Sequence, residues 1–179
     1  MVRTVRTCTL MLLLGGLTAC GGGGPATIPL GQEAVVEHAN VSPGTGPTTS
    51  LAVTALAVRT GTIAELEAGG LEVDAGDRTK VPTYVDVRFE NRGTQAIDRE
   101  LRVSMEDKDG GLISPVVVFN YGDIVFAPCP DKTEGAFAPA ESFETCVLFL
   151  VAPERKGVRV SFLPHVPGKE TDWVYWAIP

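Results

Sequence analysis

Apolar and polar residues alternate along most of the chain, and the alternation predicts strands that each bury one face. "SLAVTALAVRT" alternates from Ser50 to Thr60. "TYVDVRFENRG" sets Val85, Val87 and Phe89 on one face and Tyr84, Asp86, Arg88 and Glu90 on the other, before an "NRG" turn. "ELRVSMEDKDGG" turns Leu101, Val103 and Met105 inward and ends in an acidic, glycine-rich turn. "LISPVVVFN" follows as a strand broken near its start by Pro115, a residue that suits an edge or a strand end. After a proline-rich stretch, Phe143 to Val151 form a strongly apolar strand; Val158, Val160 and Phe162 then alternate, and "DWVYWAI" closes the pattern. One segment departs from period two. "GTIAELEAGG" has Thr62 and Glu65 at the spacing of a capping box and glycines at its end, which predicts a single short helical turn.

About eight short strands joined by turns predict an all-β, immunoglobulin-like antiparallel β-sandwich, because a strand with one apolar face needs a second sheet to cover it. A closed barrel is the alternative. In the sandwich the core comprises Val85, Val87, Phe89, Leu101, Val103, Val147, Phe149, Val160 and Phe162.

The first residues follow a different grammar. Arg3 and Arg6 precede the apolar run "CTLMLLLGGL" and the small residues Thr18 and Ala19, the order of a secretory signal. The run is about half the roughly 20 residues needed to span a bilayer. "LTAC", ending at Cys20, resembles the lipobox of bacterial lipoproteins, in which the cysteine is acylated and becomes the new N-terminus. The competing reading is an ordinary signal cut nearby. Arg3 and Arg6 are not adjacent, which favours general secretion over the twin-arginine route. The expected organisation is a signal over residues 1–19, a lipidated cysteine and flexible Gly/Pro-rich tether over 20–31, and one β-sandwich domain over 32–179. "NVSPGTGPTTS", Asn40 to Ser50, is either a long loop or further tether.

Loss of the signal leaves 13 basic residues against 22 acidic ones, a mature net charge of -9. That sign disfavours nucleic acid and anionic headgroups as partners and leaves the lipid on Cys20 as the contact with the membrane. Of four cysteines, Cys8 departs with the signal and Cys20 takes the lipid. The remaining pair, Cys129 and Cys146, suggests a disulfide in an exported chain, and a redox-active pair lacks the C-x-x-C spacing.

"GQEAVVEH", "LAVTALAVRTGTIAELEAGGLE", "PTYVDVRFENRGTQAI", "FAPCP", "FAPAESFETCVLFLVAPE" and "GVRVSFLP" together resemble the immunoglobulin-like, telokin-like domain of small bacterial secreted lipoproteins of unknown function. The resemblance spans nearly all of Gly31 to Pro179. It implies pairing of Cys129 with Cys146. It also places a glycine where this chain has Ala140, in the "PAES" turn. No catalytic residue and no cofactor come with it.

The residues themselves carry no nucleophile elbow, no H-E-x-x-H and no phosphate-binding glycine loop. His38, beside Glu37, makes half a metal site if His165 joins it; two isolated, exposed histidines are the simpler expectation. Glu106, Asp107 and Asp109 offer oxygens to calcium, but the loop lacks the full register and the distant bidentate glutamate, and a plain hairpin turn suffices. Trp173 and Tyr175 share one face of the last strand, with Val174 and Trp176 on the other. On an edge strand one pair stays exposed, which makes Trp173 and Tyr175 a candidate partner contact. The expected function is a non-catalytic, lipid-anchored binding or protein-interaction module on the extracytoplasmic face of the cell membrane, with an envelope protein as partner. A small-ligand or metal-binding lipoprotein is the alternative, and an unrecognised enzyme a third.

Overall fold

The computed structural model describes residues 27–40, 47–116, 126–130 and 135–179. The signal, Cys20 and the glycine run lie outside the described residues. Two sheets face each other. One has the order β2 (Ala34–His38), β3 (Thr49–Thr60), β4 (Val81–Asn91) and β9 (Ser142–Val151), antiparallel throughout. The other runs β1 (Thr27–Pro29), β11 (Val174–Ala177), β10 (Gly157–Phe162), β6 (Val103–Asp107) and β7 (Leu112–Ile113). Among the described residues its one parallel pair is β1 with β11. A small ladder joins β5 (Ile97–Asp98) to β8 (Ala136–Phe137).

The expected core residues lie between the two sheets: all nine belong to one cluster, with Val147 partly buried at its margin. Phe89 of β4 stacks on its cross-strand neighbour Phe143 at 5.3 Å and reaches Phe162 of the opposite sheet at 5.9 Å. Contact across the gap between sheets is what makes this a sandwich. Asn91 is fully buried where β4 ends. Its amide donates to the carbonyls of Gln95 and Phe137 and its carbonyl accepts from Gly93 N–H, so the "NRG" turn is held by one satisfied side chain.

Several local expectations are corrected. The tether was expected to run to Gly31, but Thr27–Pro29 form β1, and Ile28 and Leu30 pack on the core. Of the stretch from Asn40 to Ser50, Thr49 and Ser50 belong to β3 and pair with β2, while residues 41–46 lie outside the described residues. The alternation of β3 is not continuous. A bulge between Ala55 and Ala57 shifts the register, so Val58 pairs with core residue Val85, and Arg59, opposite Tyr84, reaches Asp86 on the outer face. Leu101 is buried but precedes β6, and "LISPVVVFN" contributes only Leu112–Ile113 as a strand, its residues from 117 onward lying outside the described residues.

The outer face of β4 and β9 is not a plain solvated surface. The helix α1 (Ile63–Ala68) forms where its capping box predicts, with Thr62 accepting from Glu65 N–H and the Glu65 carboxylate accepting from Thr62 N–H. Its one buried residue, Leu66, packs with Tyr84, Phe126, Cys129, Cys146 and Leu148 in a second apolar cluster on that face. This explains why β9 is apolar on both sides: Phe149 faces the main core, while Cys146 and Leu148 face the helix. Cys129 and Cys146 are joined, with Cα atoms 5.0 Å apart, and the bond ties the 126–130 segment to β9 over this second core.

Candidate functional site

The alternation of β10 sends Val160 and Phe162 into the core and Arg159 and Ser161 to the outer face of the five-stranded sheet. Register then assembles a polar and aromatic group on that face. Arg159 lies opposite Glu106, and Ser161 lies opposite both Ser104 and Tyr175. The Arg159 guanidinium donates to the Glu106 carboxylate and sits 4.2 Å over the Tyr175 ring. Trp173 stacks on Tyr175, its ring 6.2 Å away with an interplanar angle of 26°. Burial, and next the Glu106 carboxylate, push the Tyr175 phenol above its usual range, while Arg159 opposes the shift.

Trp173 and Tyr175 are thus neighbours, but not as an exposed edge. β1 lies outside β11, so β11 is an interior strand paired along both edges. Trp176 enters the core and donates its indole N–H to the Gln32 carbonyl at 2.8 Å. Tyr175 is only 7% exposed, roofed by Arg159 and Trp173. The parts of this group that reach solvent are the half-buried Trp173 ring and the part-exposed Arg159 side chain. Sequence reasoning missed Arg159 and placed Glu106 in the acidic turn alone, since only cross-strand register brings them beside β11. Two buried polar atoms here, Ser161 Oγ and Arg159 Nε, have no hydrogen-bond partner among the described residues.

The other candidates fall elsewhere. Glu106 is occupied by Arg159. Asp107 accepts from Asp109 N–H and Gly111 N–H and pairs with Arg155, whose guanidinium holds its carboxyl below the usual range. Those contacts make the acidic stretch a hairpin turn that satisfies its own carboxylates; Asp109 points out to Lys108. The two histidines are neither isolated nor both exposed. His38 is buried, and its Nδ1 accepts from His165 N–H at 3.2 Å while Ala39 N–H donates to the His165 carbonyl at 2.8 Å. This clasp ties the end of β2 to the loop after β10. Burial, and secondarily the neighbouring His165, lower the His38 pKa from 6.5 to about 4. Glu37, beside it, pairs with Lys169. Among the described residues no group of three histidine, cysteine, aspartate or glutamate side chains is placed to hold a metal ion, and no helix is long and apolar enough to cross a membrane.

The two sheets define an all-β, immunoglobulin-like sandwich, stapled by a disulfide. No family model and no curated protein matches the chain. Two solved structures share the fold. The secreted protein MPT63 of Mycobacterium tuberculosis superposes with a TM-score of 0.55 at 11% identity, covering 88% of this chain and all (100%) of that one. The YjhA protein of Bacillus subtilis gives 0.51 at 12% identity, covering 86% and 100%. At such identities the likeness is one of fold alone.

Proposed function

We propose that the chain is a non-catalytic lipoprotein of the telokin-like type, held by acylated Cys20 on the extracytoplasmic face of the membrane, that binds an envelope protein through Trp173 and Arg159. The observation that supports this reading is the Arg159–Tyr175–Trp173 stack. Tryptophan, tyrosine and arginine carry a large share of binding energy at protein interfaces, and here a partly buried ion pair with Glu106 pre-sets the guanidinium, so less side-chain freedom is lost on binding. β1 adds a positional argument. Thr27 lies opposite Tyr175, so the chain leading back to Cys20 departs beside this face. Seven residues, Cys20 to Ala26, extend at most about 25 Å, which keeps the face close to the membrane surface.

Intact-mass analysis of the mature protein tests the anchor: a lipid-modified Cys20 at the N-terminus is expected, and an unlipidated chain starting elsewhere refutes it. Crosslinking in intact envelopes tests the face. Trp173→Ala and Arg159→Ala should each abolish an adduct that Arg88→Ala, on the other sheet, leaves intact; loss of the adduct in Arg88→Ala alone would place the interface on the wrong sheet.

A further inference from the structure

Each of the two facing sheets has two edge strands, and an uncovered edge is a row of free N–H and C=O groups with which another strand can pair. Three of the four edges are blunted. β1 has three residues and ends in Pro29, β7 has two and is soon followed by Pro115, and β9 receives Val116 N–H at the Leu148 carbonyl. β2 differs. It runs for five residues, Ala34–His38, without proline, lysine or bulge, and its side away from β3 pairs with no strand among the described residues. Register fixes which groups it presents. Arg92 N–H donates to the Ser50 carbonyl, so the Ser50 main chain faces β4, while Thr49 and Leu51 face β2 opposite His38 and Val36. Main-chain groups alternate sides along a strand, which leaves those of Val35 and Glu37 pointing out from the sheet edge. Ala39 N–H, two positions further on, likewise turns away from β3, to the His165 carbonyl.

The side chains at this edge suit a second copy of the same strand. Val35 is 54% exposed, more than any other large apolar residue described, and Ala34 and Val36 on the core side are only partly buried. Antiparallel pairing about a two-fold axis at Val35 sets Val35 against Val35, Ala34 against Val36 and Glu37 against Glu33. Two bare glutamates would repel each other there. Each instead arrives with its own cation, Glu37 with Lys169 and Glu33 with Arg92, so two positive and two negative charges meet with no excess. The edge is therefore self-complementary in main chain, apolar contact and charge. We propose that β2 pairs with β2 of a second copy of this chain, joining two four-stranded sheets into one continuous sheet. The Arg159 and Trp173 face lies on the other sheet and stays free, and this inference depends on neither the anchor nor the envelope partner.

The test is sedimentation equilibrium of the mature chain carrying Cys20→Ser, with amide hydrogen exchange at low and high protein concentration. A monomer–dimer equilibrium with a dissociation constant on the order of 0.1 mM is expected, because one strand pair buries a small area. Exchange should slow at the Val35 and Glu37 amides as the chain dimerises, whereas the Val36 amide, bonded to β3, is protected throughout. Val35→Pro deletes the outward N–H and spares the ladder with β3, and Val35→Lys sets two ammonium groups against each other across the axis. Each should raise the dissociation constant about tenfold or more, with a urea melt showing that the variant folds. A chain still monomeric at about 1 mM, which would leave the edge to a strand of another protein, overturns the proposal. So does parent-like association of either folded variant, or a dimer whose Val35 amide exchanges as fast as in the monomer.

Discussion

Acidification from pH 7 to pH 4 should weaken the fold through one residue, His38. Its Nδ1 accepts a hydrogen bond from His165 N–H, which requires that nitrogen to be unprotonated, and its ring is buried against Phe162 at 6.1 Å between centroids. Protonation therefore places a charge in a buried site, removes an acceptor and sets the cation beside His165. The folded-state pKa of about 4 lies below the unfolded value of 6.5. The unfolded chain consequently binds more protons between these values, and stability rises with pH there. The contribution is fully present above about pH 6.5 and is lost as the pH falls to about 4. At 1.36 kcal/mol per pH unit, the shift from 6.5 to about 4 corresponds to a loss on the order of 3 kcal/mol. That is a large part of the stability of an ordinary domain. Urea melts of the Cys20→Ser chain at half-unit pH steps measure it. His38→Gln, whose amide oxygen can accept from the same N–H, should cost little at pH 7 and remove most of the slope between pH 6.5 and 4. A flat wild-type profile, or an equal slope in His38→Gln, refutes the reasoning, because the acid sensitivity would then belong to the carboxylates.

Phe149→Ala should cost about 3–5 kcal/mol in the same melts, since it opens a cavity between two sheets that cannot close on it; Glu90→Ala, on the outer face, should change stability by less than about 0.5 kcal/mol, and equal losses would contradict the register. Replacing Cys129 and Cys146 by alanine should cost about 2–5 kcal/mol, and hydrogen exchange should accelerate first in α1, which shares the second core with the disulfide. Ala140 has φ 64° in the turn before β9, the position where the family resemblance places glycine. Ala140→Gly should therefore stabilise the domain by about 1 kcal/mol, the strain of a left-handed alanine outweighing the added freedom of the unfolded chain; no change in the urea midpoint would show that the turn is relaxed as it stands.

Local chemistry made much of this molecule legible in advance. Inward and outward faces of β4, β6, β9 and β10 follow from side chains that alternate across a strand, and the core residues fall where that periodicity puts them. Thr62 and Glu65 announce a helix start because both partners of the cap lie within four residues. The cysteine pair follows from counting. What the tertiary structure alone decided involves pairing at long range. Alternation does not say which strand lies next to which, so the sequence left β11 as an edge, whereas β1, a strand within the supposed tether, pairs along it, and Arg159 from β10 lies over the buried Tyr175. It does not mark a bulge either: "LAVTALAVRT" reads as unbroken, and the slip near Ala55 that sends Arg59 outward and Val58 toward the core is set by β4 on its flank. Nor does it show that Tyr84, on the polar side of its strand, is capped by a helix and a disulfide loop. The joining of His38 to His165, 127 positions apart, belongs to the same class. Such contacts are specified by the sum of the packing around them, and no short stretch of residues carries the signal.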